Sequence, residues 1–346
     1  MGQNSLKKSN NINSVRRTQI SKRVSTILKI GIGLAFLIFA FWRVDWAVFT
    51  RAIKNIHWTW FIFAILSIPV SLFFKVWRWR VLLKYHQIDI PLMKAISAYF
   101  VGAAVNILFF IRGGEIVRIG LAHQSEKNDL ANITATIGLE KYFDLIMLIF
   151  SMLMISAFLP SIAIDRWARL SPLLVILSAF LLLAVLIGPT IWKKFSKSDF
   201  NGGLIGKISK QIDILINAVR WLRNPRKLIA IVAISLFIWL VMLSTNMLLF
   251  HALGLILNWQ AAGLVLVLVY IGVLPALMPG NIGPFIYFAQ LALVPFSVNN
   301  EQALAFAILL FAIVTMPPLI IAGISLMLPG TREKPEPSRL SEKINL

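Results

Sequence analysis

Stretches without a single Lys, Arg, Asp or Glu alternate with short basic segments along almost the whole chain. Uncharged runs cover residues 58–74, 95–111, 145–164, 170–192, 228–300 and 302–331, and a shorter apolar run extends from residue 30 to Trp42. About 20 apolar residues in a helix cross roughly 30 Å of hydrocarbon. In hydrocarbon the backbone must satisfy its own polar groups, which leaves helices as the natural solution for runs of this length. The pattern therefore predicts an all-α membrane protein. Trp58, Trp60 and Trp192 stand at run edges, where an aromatic belt is expected.

The basic residues between the runs set an expected topology. Lys and Arg number seven in the tail through Lys29, three in 43–57, five in 75–94, two in 165–169, nine in 193–227 and four after Gly330. Positive charge favours the cytoplasmic side, so both tails and 193–227 are expected there. Eight full spans would place the nine-charge segment outside. The conflict disappears if 95–130 enters from the cytoplasm and returns as a re-entrant hairpin, and 261–296 does the same from outside. The prediction is six full transmembrane helices plus two re-entrant helical hairpins, arranged as an inverted repeat with halves at about 24–164 and 165–330. Breaks fall at matching places, Arg112-Gly113-Gly114 in one half and residues 279–284 in the other. Interrupted helices in inverted halves are a recurring transporter plan, and broken backbone at membrane depth is tolerated where it is buried or lines a wet cavity. Eight ordinary kinked spans are the alternative.

Residues 1–23 read as a basic cytoplasmic tail and 331–346 as a disordered one. The apolar run after the first tail ends in bulky Phe41-Trp42-Arg43, without a small-residue cleavage site, so an uncleaved first span is expected. In 203–223, apolar residues recur at helical spacing with Lys207, Lys210, Arg220 and Arg223 between them, which predicts an amphipathic helix on the cytoplasmic leaflet.

Composition sharpens this picture. Hydrophobic residues make up 58% of the 346-residue chain and charged residues 14%, well below the usual quarter. The net charge of +20 does not point to nucleic acid, because the basic residues sit in the short connections where topology explains them. The chain has no cysteine, and its four histidines, His57, His86, His123 and His251, make no metal-ligand spacing, so neither a metal nor another cofactor is expected.

Two motifs carry candidate chemistry. Glu115 and Arg118 in Arg112–Arg118 are three residues apart, and Glu140 and Asp144 are four apart, so each pair shares a helix face. The apolar stretch after Asp144 is too short to span alone. Its helix must start earlier and draw Glu140, Lys141 and Asp144 into the membrane zone, where ionisable groups pair or line a polar path. In one reading, Arg112 and Arg118 hold an anionic head group while Glu115, Glu140 and Asp144 position them. Arginine suits phosphate because its fork binds bidentately. Gly113 and Gly114 would let backbone N–H groups approach a phosphate. In the other reading, these are internal ion pairs that hold helices in register. Both remain open on residues alone. Gly280 and Gly283 in the uncharged second break expose backbone to a ligand or make a kinked packing turn. Lys75, Arg78, Arg80 and Lys84, with Trp77 and Trp79, read as interface anchors that can also meet lipid phosphates.

Arg-x-Gly-Glu-x-x-Arg at 112–118, Leu-Glu-x-x-x-Asp at 139–144 and Pro-Gly-x-x-Gly at 279–283 together resemble the flippase-like transmembrane domain of lysylphosphatidylglycerol synthases. The resemblance extends over about residues 24–329. It implies movement of an anionic or aminoacylated lipid between leaflets, or support of polyprenyl-phosphate-linked sugar assembly, in a bacterial inner membrane. Many relatives carry an acidic residue shortly after the Pro-Gly turn. Here Pro284, Phe285 and Ile286 follow, so no charged role carries over. The chain ends at Leu346 without the soluble aminoacyltransferase domain, so it is not expected to synthesise lysyl-lipids itself.

The expectation is a lipid translocase rather than an enzyme. Its head-group site would comprise Arg112, Gly113, Gly114, Glu115, Arg118, Glu140, Asp144, Gly280 and Gly283. Membrane lipids are the expected partners, with an envelope lipid or glycolipid synthase as a candidate protein partner. Two rivals stand beside it. One is a non-transporting subunit of a glycolipid or cell-envelope pathway. The other is an integral-membrane lipid transferase, disfavoured because the aspartates are isolated rather than paired for a metal.

Overall fold

The computed structural model describes residues 45–109, 113–123, 129–158, 224–275 and 279–327, together with Ile38, Ile176 and Phe180. The two tails, the expected spans at 24–42 and 170–192 apart from Ile38, Ile176 and Phe180, the amphipathic segment 203–223 and Arg112 lie outside the described residues. So does most of 193–227.

The described residues form helices and no strand. In chain order they are α1 (Trp46–Lys54), α2 (Trp58–Tyr85), α3 (Leu92–Leu108), α4 (Gly114–Ala122), α5 (Asp129–Phe158), α6 (Pro225–Ala252), α7 (Trp259–Val273), α8 (Ile282–Leu291) and α9 (Asn300–Met327). Short 3-10 turns at Pro279–Asn281 and Val294–Phe296 flank α8. Among the described residues, four helices are long and apolar enough to cross a membrane: α2, α5 over Asn132–Phe158, α6 and α9. The protein is therefore a multi-pass helical membrane protein, with several shorter apolar helices between these spans.

Helix starts follow from local chemistry. Asp45 caps α1, its carboxylate accepting from the Ala47 and Val48 N–H groups. Asn224 caps α6 ahead of Pro225, whose missing N–H costs nothing at a first helical position. Asn258 caps α7 through the Ala261 N–H. Proline inside α2 (Pro69) and α9 (Pro317, Pro318) does not end these helices. Packing on both sides holds them, as is usual for membrane helices.

α2 and α6 form the central pair and run antiparallel. The His57 N–H donates to the Ala252 carbonyl, Ser67 shares a hydroxyl bond with Thr245, the Phe74 ring meets Phe237, and Arg78 reaches Ser235. Element order then repeats: long helix, two shorter helices, long helix. The packing is reciprocal, with α3 of the first set against α9 of the second and α7 of the second against α5 of the first. The core fills between them, with Phe250 and Phe306 both fully buried and their rings 4.7 Å apart.

Each short pair packs as a helical hairpin. Gly102 of α3 and Gly114 of α4 let the two backbones touch. The second hairpin turns through two left-handed residues, Gly280 (φ 59°) and Asn281 (φ 49°), the residue types that adopt this conformation most readily. The Asn281 amide closes that turn by donating to the Val273 carbonyl at 3.0 Å.

Candidate functional site

α5 runs unbroken from Asp129 to Phe158, so Glu140 and Asp144 lie within it, as the length of its apolar stretch required. One helical turn apart, they face a charge cluster built from three further helices. Arg118 of α4 donates to Glu140 Oε2 at 2.6 Å. Arg78 of α2 lies 2.8 Å from Asp144 Oδ1 and 4.0 Å from Glu140 Oε1, and it donates to the Ser235 hydroxyl of α6 at 3.0 Å. Arg78 is 0% exposed, Glu140 2% and Arg118 6%, while the Asp144 side chain keeps 20%. Two cations and two anions thus form a neutral ladder inside an apolar bundle, open at Asp144. A charge at this depth is costly unless paired, and the ladder pairs all four.

Aromatic side chains hold the Arg118 end. Its guanidinium carbon sits 3.8 Å from the centre of the Trp79 ring and 4.3 Å from that of Tyr99. Such contacts strengthen as they lose water. Trp79 is fixed in turn, donating its indole N–H to Thr136 of α5 at 3.1 Å. The Nε atoms of Arg78 and Arg118 are buried without a hydrogen-bond partner among the described residues. The cluster therefore retains unused donors.

The other expected residues are placed differently. Glu115 lies at the margin, 3.8 Å from the exposed Lys141 ammonium, and accepts from the Asn106 amide at 3.2 Å. The Gly114 N–H is already engaged by Asn106 Oδ1 at 2.9 Å, and its Cα faces the Gly102 carbonyl. In this conformation Gly114 therefore serves backbone packing, not anion binding. Gly113 caps α4 and accepts from the Val117 N–H. Gly280 packs against Ile107, the neighbour of Asn106, so the two breaks in the chain meet around the end of α3. Gly283 is buried in the first turn of α8.

Arg78 is the residue that sequence reasoning set aside as an interface anchor. A signal for it existed. Ala64, Ile68, Ser71, Lys75, Arg78 and Leu82 follow one another at alternating intervals of four and three, a single stripe along α2, and all but Lys75 are buried. Trp77, by contrast, is 51% exposed. Asn106, in the last turn of α3, was also missed, and being neutral it gave no signal.

Two cavities adjoin these elements. One, of about 390 Å³, is an apolar groove along α2, α3 and α9, with Arg80 and Lys84 beside Phe73, Trp77 and Phe100. The other, of about 220 Å³, lies between α2, α6, α7, α8 and α9. Among the described residues no cluster of His, Asp and Glu is arranged to hold a metal.

A comparison with curated proteins returned no match. The model of the family described as lysylphosphatidylglycerol synthase TM region matches residues 26–322, a stretch that takes in every helix of the charge ladder. The chain belongs to the transmembrane-region family of the lysylphosphatidylglycerol synthases.

Proposed function

We propose that the protein moves a phosphate-bearing lipid, a phospholipid or a polyprenyl-phosphate-linked lipid, between membrane leaflets without changing it covalently. The observation that carries this reading is the buried ladder of Arg78, Asp144, Glu140 and Arg118, of which Arg78, Glu140 and Asp144 stand on helices of membrane-spanning length. A lipid head group needs polar partners along its way through hydrocarbon, and ionisable residues at that depth usually mark such a path. A carboxylate and a phosphate diester present similar oxygens to a guanidinium. Glu140 and Asp144 therefore hold the two arginines in the state a phosphate would meet. Entry of the head group exchanges one arginine–carboxylate pair for an arginine–phosphate pair, so the arginine stays paired while the released carboxylate falls back on the other arginine, which already contacts both carboxylates in the case of Arg78. The groove ending at Arg80 and Lys84 suits an acyl chain with its phosphate at the basic end. Arg112, Glu115 and the glycines of the two turns would shape the approach.

The two hairpins are re-entrant in this proposal. α3 and α4, with 17 and 9 residues, are about 25 and 13 Å long, and α7 and α8 are similarly unequal. The membrane is the bacterial cytoplasmic membrane, with both termini on its inner side. A cysteine at Lys197 is expected to react with a membrane-impermeant thiol reagent only from the cytoplasm, and one at Asn258 only from the other side. Labelling of position 197 from outside would overturn this topology.

The function is tested with purified protein in liposomes carrying trace fluorescent phosphatidylglycerol, phosphatidylethanolamine or polyprenyl phosphate. Addition of dithionite is expected to bleach the inner-leaflet probe of at least one lipid faster than in protein-free vesicles, and lipid recovered from parallel vesicles without dithionite should have unchanged mass. Bleaching no faster than in protein-free vesicles for all three sinks the translocase reading. Co-purification of the inactive protein with an envelope lipid synthase would then favour a non-transporting subunit.

A further inference from the structure

The 220 Å³ cavity beside the ladder is lined by apolar side chains together with Lys75, Thr245, Asn246 and Tyr270. Among the described residues, no aspartate or glutamate lines it. Lys75 sits one turn before Arg78 on the same stripe of α2, yet it takes no part in the ladder's ion pairs. Both ladder carboxylates already face arginines, so Lys75 adds one positive charge to an otherwise neutral set. The cavity's second available donor is the Tyr270 hydroxyl, which points at the Met242 sulfur at 3.8 Å, a weak acceptor. The other polar side chains are occupied. Thr245 donates to the Val241 carbonyl, and Asn246 donates to the Ala262 carbonyl.

We propose that this cavity is a phosphate site, in which the Lys75 ammonium and the Tyr270 hydroxyl grip one singly charged phosphodiester. The match is one of charge and of donors. One uncompensated ammonium in apolar surroundings is costly, and an entering anion of charge −1 cancels it. A lysine is a point charge with three rotatable donors, suited to a tetrahedral oxyanion that approaches from no fixed plane. A volume of about 220 Å³ is below the range of whole-ligand pockets, so the cavity takes a head-group phosphate and leaves acyl chains outside. The site differs from the ladder: here nothing has to be displaced before the phosphate binds. The inference rests on the lipid reading above for the source of the phosphate, because the apolar walls suit a lipid better than a free ion.

The test is thermal unfolding of the full chain in neutral detergent, titrated with dioctanoyl phosphatidylglycerol, dioctanoylglycerol or inorganic phosphate. Wild-type protein is expected to be stabilised by the phosphatidylglycerol and not by the diacylglycerol. Lys75→Met is expected to weaken that response about tenfold or more, the loss of one charge-assisted bond. Tyr270→Phe should weaken it less, and Lys75→Arg should retain part of it. In the absence of lipid, Lys75→Met is expected to unfold no earlier than wild type, because an unpaired internal charge has been removed. A full response in Lys75→Met, an equal response to diacylglycerol, or no wild-type response overturns the site. An equal response to inorganic phosphate, lost in Lys75→Met, upholds it with free phosphate as the source. Liposome transport that persists in Lys75→Met removes this site from the path and leaves the translocase reading standing. Phosphate-dependent binding without transport does the reverse.

Discussion

Arg118→Leu alone is expected to destabilise the folded protein by about 3–5 kcal/mol, whereas Arg118→Leu combined with Glu140→Leu should unfold close to the wild type. The single change strands Glu140, 2% exposed, with only the Arg78 contact at 4.0 Å in place of its 2.6 Å partner. It also takes the cation from between Trp79 and Tyr99. The double change removes one charge of each sign and leaves the Arg78–Asp144 contact at 2.8 Å intact, so the remaining ladder is still neutral. Apolar replacements of a buried pair are often neutral or stabilising. Thermal unfolding in detergent of the four members of this cycle measures the coupling directly. Function is expected to part from stability here: the double variant should reach the membrane in normal amount and fail to move lipid, because a phosphate entering the ladder no longer finds the Arg118 fork, and Arg78 alone does not complete the path. Full transport by the double variant would show that Arg118 and Glu140 only hold α4 against α5, and the path would have to run past Arg78 and the Lys75 cavity instead.

How much of this was legible in the sequence depends on which force fixed each feature. The membrane spans follow from apolar length, and length also placed Glu140 and Asp144 inside α5. The pairing of Arg118 with Glu140 needed only that their two helices meet. Arg78 was harder, because Lys75-Val76-Trp77-Arg78-Trp79-Arg80 has the composition of a membrane-edge anchor. Composition discards phase: Arg78 and Trp79 turn inward, while Trp77 turns out. The four-three spacing of residues 64, 68, 71, 75, 78 and 82 contained that phase information. The glycines were ambiguous for a different reason. A missing side chain permits close approach by either a ligand or another backbone, and sequence does not say which partner arrives. At Gly114 the partner is the Gly102 carbonyl, and the Gly114 N–H is taken by Asn106. That contact depends on how α3 and α4 pack, which no local pattern encodes.

Gly114→Ala is accordingly expected to be the most damaging small substitution in the first hairpin. A methyl group there would overlap the Gly102 carbonyl oxygen and lie 2.6 Å from the Asn106 side-chain carbon. Gly102→Ala meets the same obstacle from the other side, 2.6 Å from the Gly114 carbonyl oxygen. Backbone cannot rotate away as a side chain can, so α3 and α4 must separate, at a cost of about 3 kcal/mol or more by the usual measure of overpacking. Gly120→Ala supplies the control, since it lies on the same nine-residue helix with nothing within 4 Å of the added carbon. It should be neutral, or stabilising by up to about 1 kcal/mol through helix propensity. The separation has a functional consequence beyond stability. Arg118 sits one turn along α4 from Gly114, and its Cβ lies within 3.1 Å of the position a Gly102 methyl would occupy. Moving α4 away from α3 therefore shifts the guanidinium from between Trp79 and Tyr99 and lengthens its 2.6 Å bond to Glu140. Gly114→Ala protein that remains folded at low temperature should thus behave like Arg118→Leu in liposomes, with lipid movement reduced although all four ladder charges are present. Wild-type transport and wild-type unfolding in Gly114→Ala would mean that the hairpin does not position Arg118, and that the glycine contact is incidental to the site.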